Sequence, residues 1–193
     1  MAKSKVKKNP VNNRRLMSRR TRSAIFWVIE ILAALFLSLL FCVGFCYQVP
    51  VQDASMSTTL ETGDSVLVNR VVKKAGSIAR GDVIAYREGS GDKSDIHIKR
   101  VIGLPGETIS IHDGIIVING ESYIEDRDLP KIVNAGLAKN DITLGRDEYF
   151  VLGDNRNNSE DSRFADVGNI AGQSVIGRVW FRISPRESLG FVR

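Results

Sequence analysis

The stretch Ile96-His97-Ile98-Lys99-Arg100-Val101-Ile102-Gly103-Leu104-Pro105-Gly106-Glu107-Thr108-Ile109-Ser110-Ile111-His112-Asp113-Gly114-Ile115-Ile116-Val117-Ile118 is dense in β-branched residues and broken by two turn signals. Its pattern predicts strands over 96–102, 108–112 and 115–118. Pro105-Gly106 separates the first two, and Asp113-Gly114 between the last two is a two-residue hairpin signal. Similar runs outward predict strands over 65–71, 83–87, 148–152 and 174–183. Turn residues lie between them at Thr62-Gly63-Asp64, Arg80-Gly81-Asp82, residues 89–92 and Asn119-Gly120. No stretch beyond residue 48 carries a helical period, so this part is mainly β. Residues 121–147 are polar, with Glu121, Glu125, Asp126, Arg127 and Asp128. They read as an excursion from the β core, a small cap spanning about 107–147.

Upstream, residues 24–47 hold a single charge, Glu30. As a helix they would extend ~36 Å, more than a hydrocarbon core of ~30 Å requires. A removable signal peptide has an apolar region of only ~7–15 residues and a small-x-small cleavage site. Phe45, Tyr47, Gln48 and Pro50 fit that poorly, so the run is read as a retained, single-pass transmembrane helix. The chain has 193 residues with net charge +5, yet residues 1–22 carry nine basic residues and no acid. The other 171 hold 18 basic against 22 acidic residues, so basicity belongs to the tail and nucleic-acid binding is not expected. Positive flanks stay cytoplasmic, which puts residues 1–23 inside, 24–47 in the cell membrane and 48–193 on the outer face.

Several chemistries are excluded by residue type. Cys42 and Cys46 lie inside the apolar run and are the only cysteines, so residues 48–193 hold neither a disulfide nor a thiolate nucleophile of the sortase kind. His97 and His112 form no metal-ligand spacing, and each reads as an ordinary strand or turn residue. No cofactor or metal is expected. A serine hydroxyl is a weak nucleophile that needs a base, and a lysine lowered toward neutrality by burial is able to be one. On a strand, His97, Lys99 and Val101 share one face and Arg100 takes the other.

Three other segments stand out: Asp53-Ala54-Ser55-Met56-Ser57-Thr58-Thr59-Leu60, His97 through Glu107, and Gly153-Asp154-Asn155-Arg156-Asn157-Asn158-Ser159-Glu160-Asp161-Ser162-Arg163. Their order and wording resemble the boxes of bacterial type I signal peptidases, the Ser/Lys dyad leader peptidases, in their compact Gram-positive-like form. Arg80-Gly81-Asp82-Val83 resembles a further box of that family. The resemblance implies a signal-peptidase-like β domain behind one membrane helix, and a membrane-bound serine endopeptidase that removes signal peptides from exported proteins. It assigns Ser55 as nucleophile, Lys99 as general base, Ser159 as the group orienting the lysine, and Asp161 with Arg163 as a supporting ion pair. Substrate is expected as an extended peptide between the strand before Ser55 and the 83–87 strand, with Val83, Ile84 and Tyr86 as binding residues. Preprotein signal peptides, membrane lipid and the secretion translocon are the partners it implies.

Three positions depart from the family pattern. Asp53 stands where a small hydroxyl residue is usual, and a carboxylate there opposes an oxyanion. Thr58 replaces a proline, and Asn157 an aspartate. These changes motivate a second reading, a non-hydrolytic or client-specialised assembly factor or chaperone for surface proteins such as pilins.

Overall fold

The computed structural model describes residues 19–74, 78–88 and 95–192. Most of the basic tail and the turn expected at 89–92 lie outside the described residues. Helix α1 spans Arg19–Phe45 and is apolar, with none of its most hydrophobic window buried. Phe26, Trp27, Leu35 and Phe36 all lie exposed along it, as an apolar helix surface in contact with lipid would. The helix stops at Phe45, two residues short of the apolar run's end. Gly44 O accepts the Arg70 N–H (3.0 Å) and Phe45 O accepts the Trp180 indole N–H (2.9 Å), so terminal carbonyls find donors. The chain divides after Leu40, and the unit from Phe41 onward carries the β structure.

Twelve strands follow among the described residues: β1 (Tyr47–Pro50), β2 (Ser65–Asn69), β3 (Val83–Glu88), β4 (Asp95–Gly103), β5 (Thr108–His112), β6 (Ile115–Ile118), β7 (Glu121–Tyr123), β8 (Ile142–Thr143), β9 (Glu148–Leu152), β10 (Ile170–Ala171), β11 (Val175–Ser184) and β12 (Gly190–Phe191). The large sheet runs β1-β2-β11-β3-β4-β9-β10, with β12 on β11, and the smaller runs β7-β6-β5-β8. All pairings are antiparallel. The mainly β architecture read from the periodicity is the one observed.

Local chemistry explains the boundaries. Asp113 and Gly114 both take positive φ (51° and 77°), as the tight β5–β6 turn demands. β2 was expected to reach residue 71 but ends at Asn69, whose side-chain oxygen accepts the Val71 N–H (2.9 Å) and turns the chain into α2 (Val71–Lys74). Strands β7, β8, β10 and β12 are only two or three residues long, too short to show a period.

Both faces of the large sheet are covered. Val49, Met56, Leu60, Val66, Val83, Ala85 and Ile98 make one core cluster. Ile84, Tyr86, Val101 and Val151 belong to another. The segment read as a polar excursion contributes Ile132, Ala138 and Leu144 to a third, together with Ile102, Ile109 and Phe150. Residues 108–143 therefore hold a sheet that shares a core with β4 and β9. Gly103 has to be glycine, because a Cβ would lie within 3 Å of Leu144, Ile109 and Phe150.

Candidate active site

Ser55 lies in the turn between β1 and β2. Met56 and Leu60 beside it are fully buried, which pins the turn to the core. Asn155 holds the turn from the opposite side, its N–H donating to Ser55 O (2.9 Å) and its side-chain amide to Ala54 O (3.1 Å). Gly153 packs so closely here that a Cβ would collide with Ser159 and the Ser55 carbonyl. Thr58 sits at φ 92°, a conformation closed to proline and costly for a β-branched residue, so its turn differs from one containing proline.

Lys99 occupies the middle of β4, opposite Ile84 of β3, and is 2% exposed. Its Nζ donates to Ser55 Oγ at 2.7 Å. Burial pushes the Lys99 amine below its ordinary value, while the carboxylates of Asp53, Asp161 and Glu88 act against that shift. Ser55 Oγ in turn donates to Asp53 Oδ1, and the Ser55 N–H donates to the same oxygen at 2.9 Å. Asp53 Oδ2 stands 3.7 Å from Lys99 Nζ and 3.8 Å from His97 Nδ1. The neighbouring His97 and the bonds from Ser55 hold the Asp53 carboxyl well below the usual carboxylate range, although its partial burial works the other way.

One buried ion pair and a hydroxyl bond tie the three segments together, and a second pair braces the third. Arg100 grips Asp154 with two bonds, Nε to Oδ1 at 2.7 Å and Nη2 to Oδ2, and Thr59 also donates to Asp154. Although burial would raise the Asp154 carboxyl, Arg100 holds it below its ordinary value. Arg163 binds Asp161 through Nε and Nη2, both at 2.8 Å, and reaches the carbonyls of Asn134 and Arg156. Asp161 also accepts the Gly153 N–H (3.1 Å). Such geometry satisfies charges that would otherwise be costly to bury.

Comparison with known proteins gives one answer. Residues 24–184 match the family model described as signal peptidase, peptidase S26. The chain belongs to the signal peptidase family. Signal peptidase I T of Bacillus subtilis is 31% identical over 182 residues, 90% of this chain and 92% of its own. Signal peptidase IB of Staphylococcus aureus is 33% identical over 181 residues, 82% of this chain and 88% of its own. A crystal structure of a signal peptidase I from Enterococcus faecalis is 33% identical, covering 52% of this chain and 95% of its own, with a TM-score of 0.42. Membership makes the chain a membrane serine endopeptidase that acts on signal peptides.

Set beside the expectations for such a peptidase, the geometry differs in three places. Ser159 was expected on the lysine amine, but its Oγ is buried without a partner among the described residues, and the amine lies against Ser55 Oγ and Asp53 Oδ2 instead. Val83, Ile84 and Tyr86 were expected to bind an extended peptide. They are at most 2% exposed, and β3 pairs with β4 on one edge and β11 on the other, so its main chain has no edge to offer. The open edge is that of β4: it pairs β9 only from Arg100 onward, leaving residues 95–99 unpaired on that side among the described residues. Finally, His97 is no ordinary strand residue. Its Nδ1 faces Asp53, its Nε2 lies 3.3 Å from Glu88 Oε2, and its ring is tilted against Tyr86. A signal did exist: His97 precedes Lys99 by two on a strand and so shares its face.

Proposed function

We propose that this chain is a membrane-anchored signal peptidase in which Ser55 is the nucleophile and Lys99 the general base. The 2.7 Å contact between a buried lysine amine and Ser55 Oγ carries that reading. A neutral Lys99 takes the Ser55 proton as Oγ attacks the scissile carbonyl carbon, then delivers it to the departing amine. The acyl-Ser55 ester is released by water, deprotonated in its turn by Lys99. The Ser55 N–H is the donor closest to the developing oxyanion. Asp161 and Arg163 brace the segment behind Lys99, and Ser159 lies within that segment.

The substrate is an extended peptide added along the free edge of β4 at residues 95–98, facing the chain before Ser55, with small side chains at −1 and −3 from the cut. The single span, the cytoplasmic tail, the outward domain 48–193 and the lipid and translocon partners belong to the same reading. Nine N-terminal cations and an unburied apolar helix support it. Purified full-length chain in detergent should cut a peptide bearing an Ala-x-Ala site, and Ser55→Ala and Lys99→Ala should each abolish the cut. Should wild type cut no such peptide while surface-protein assembly depends on the chain, the non-hydrolytic reading replaces this one.

A further inference from the structure

The Asp53 carboxylate does something no nucleophile turn requires: it takes both donors of Ser55, the hydroxyl and the backbone N–H. A side-chain oxygen accepting the N–H two residues on is a common local turn of aspartate. Here that turn ties up the one backbone donor an incoming carbonyl needs. The same carboxylate is the nearest negative group to Lys99 Nζ and favours its ammonium form, whereas the reaction needs the free amine. Closed in this way, the site is at rest on two counts.

An alternative partner stands ready. His97 Nδ1 is 3.8 Å from Asp53 Oδ2, close but outside hydrogen-bond range, so a small side-chain rotation makes the bond. Glu88 Oε2 lies 3.3 Å from Nε2 and the Tyr86 ring tilts against the imidazole, so a ring with hydrogen on both nitrogens serves both carboxylates. Asp53 is 45% exposed at its side chain, so beyond its two bonds from Ser55 little packing opposes a turn. We propose that Asp53 is a latch on the nucleophile and that His97 is the positioning residue that receives it when a peptide binds. One rotation then frees the Ser55 N–H for the oxyanion and removes the closest counter-charge from Lys99. The proposal rests on the reading of Ser55 as nucleophile.

The test is a cycle of variants on the full-length chain in detergent, with an Ala-x-Ala peptide as substrate. His97→Ala should lower kcat/KM about tenfold, the scale of one hydrogen bond to a charged group. In an Asp53→Ala background, itself faster than wild type, the same His97→Ala change should alter the rate less than about twofold, since no latch remains to be received. His97→Gln, whose amide still donates to a carboxylate, should recover most of the His97→Ala loss. Equal His97→Ala losses in both backgrounds would assign His97 to structure or to the peptide groove and overturn the latch. So would no loss in either. Thermal unfolding of each variant identifies a folding defect, and His97→Gln keeps the question open to measurement if His97→Ala fails to fold. Activity surviving in Ser55→Ala overturns the nucleophile reading instead, a result separate from the cycle.

Discussion

Two groups of charges lie within a few residues of each other and are built differently. In the ionic scaffold, Arg100 with Asp154 and Arg163 with Asp161 are each two-bonded and at most 1% exposed. In the proposed catalytic cluster, one buried lysine meets a half-exposed Asp53, a histidine stands between two carboxylates, and the Ser159 and Tyr86 hydroxyls have no partner among the described residues. Matched, satisfied charges hold a shape and resist change. A cluster with surplus carboxylate and spare hydroxyls keeps its charges close to alternative arrangements, which is what proton transfer needs.

The contrast can be broken most severely at the dyad. Ser55→Ala and Lys99→Ala should each reduce kcat/KM by ~10⁴ or more while leaving the thermal midpoint near wild type, measured by peptide cleavage and by calorimetry. Arg100→Ala should do the reverse: it strands Asp154 as a buried, unpaired carboxylate. A stability loss of about 3–5 kcal/mol is expected, read from chemical unfolding. Loss of activity without loss of stability in Arg100→Ala would move that residue from scaffold to site.

Smaller effects sharpen the distinction. Asp53→Ser should raise cleavage of a generic signal peptide several-fold, and Asp53→Asn less. A loss in Asp53→Ser toward every precursor would make the carboxylate a required group. The pH profile of kcat/KM should rise on the alkaline side as the Lys99 ammonium, already lowered by burial, gives up its proton. Because Asp53 favours the ammonium, that rising limb should shift to lower pH in Asp53→Ser. An unmoved limb would mean that the carboxylate does not act on the lysine. Smallest of all, Tyr86→Phe should change stability by no more than ~1 kcal/mol and in the stabilising direction, because the lost hydroxyl has no bond to give up.

Much of this was legible along the chain because it depends on near neighbours. The period of two in 108–112 and 115–118, the Asp113-Gly114 turn and the uncharged run after Glu30 each report a local preference, and the strands and helix formed where those preferences lie. The Asp53 capture of the Ser55 N–H is equally local, two residues apart, and follows from what aspartate does in turns. Other features have no local trace, and only the resemblance of the motif segments, not any neighbour preference, pairs Ser55 with Lys99. Lys99 and Ser55 are separated by 44 positions, and Arg100 and Asp154 by 54.

Composition, period and turn chemistry by themselves determined a membrane-length helix and a β domain, and the resemblance of three short segments to signal peptidase boxes pointed to Ser55 and Lys99. Tertiary structure alone decided that β3 is enclosed on both edges while β4 keeps one open beside Lys99. It also decided that Ser159 leaves the amine to Ser55, and that His97 comes to rest 3.8 Å from Asp53. The reason is physical: local preferences act through a residue's own backbone and immediate neighbours. Strand order, register and the partner of a buried charge are chosen only when distant segments compete for the same hydrogen bonds and the same dry space.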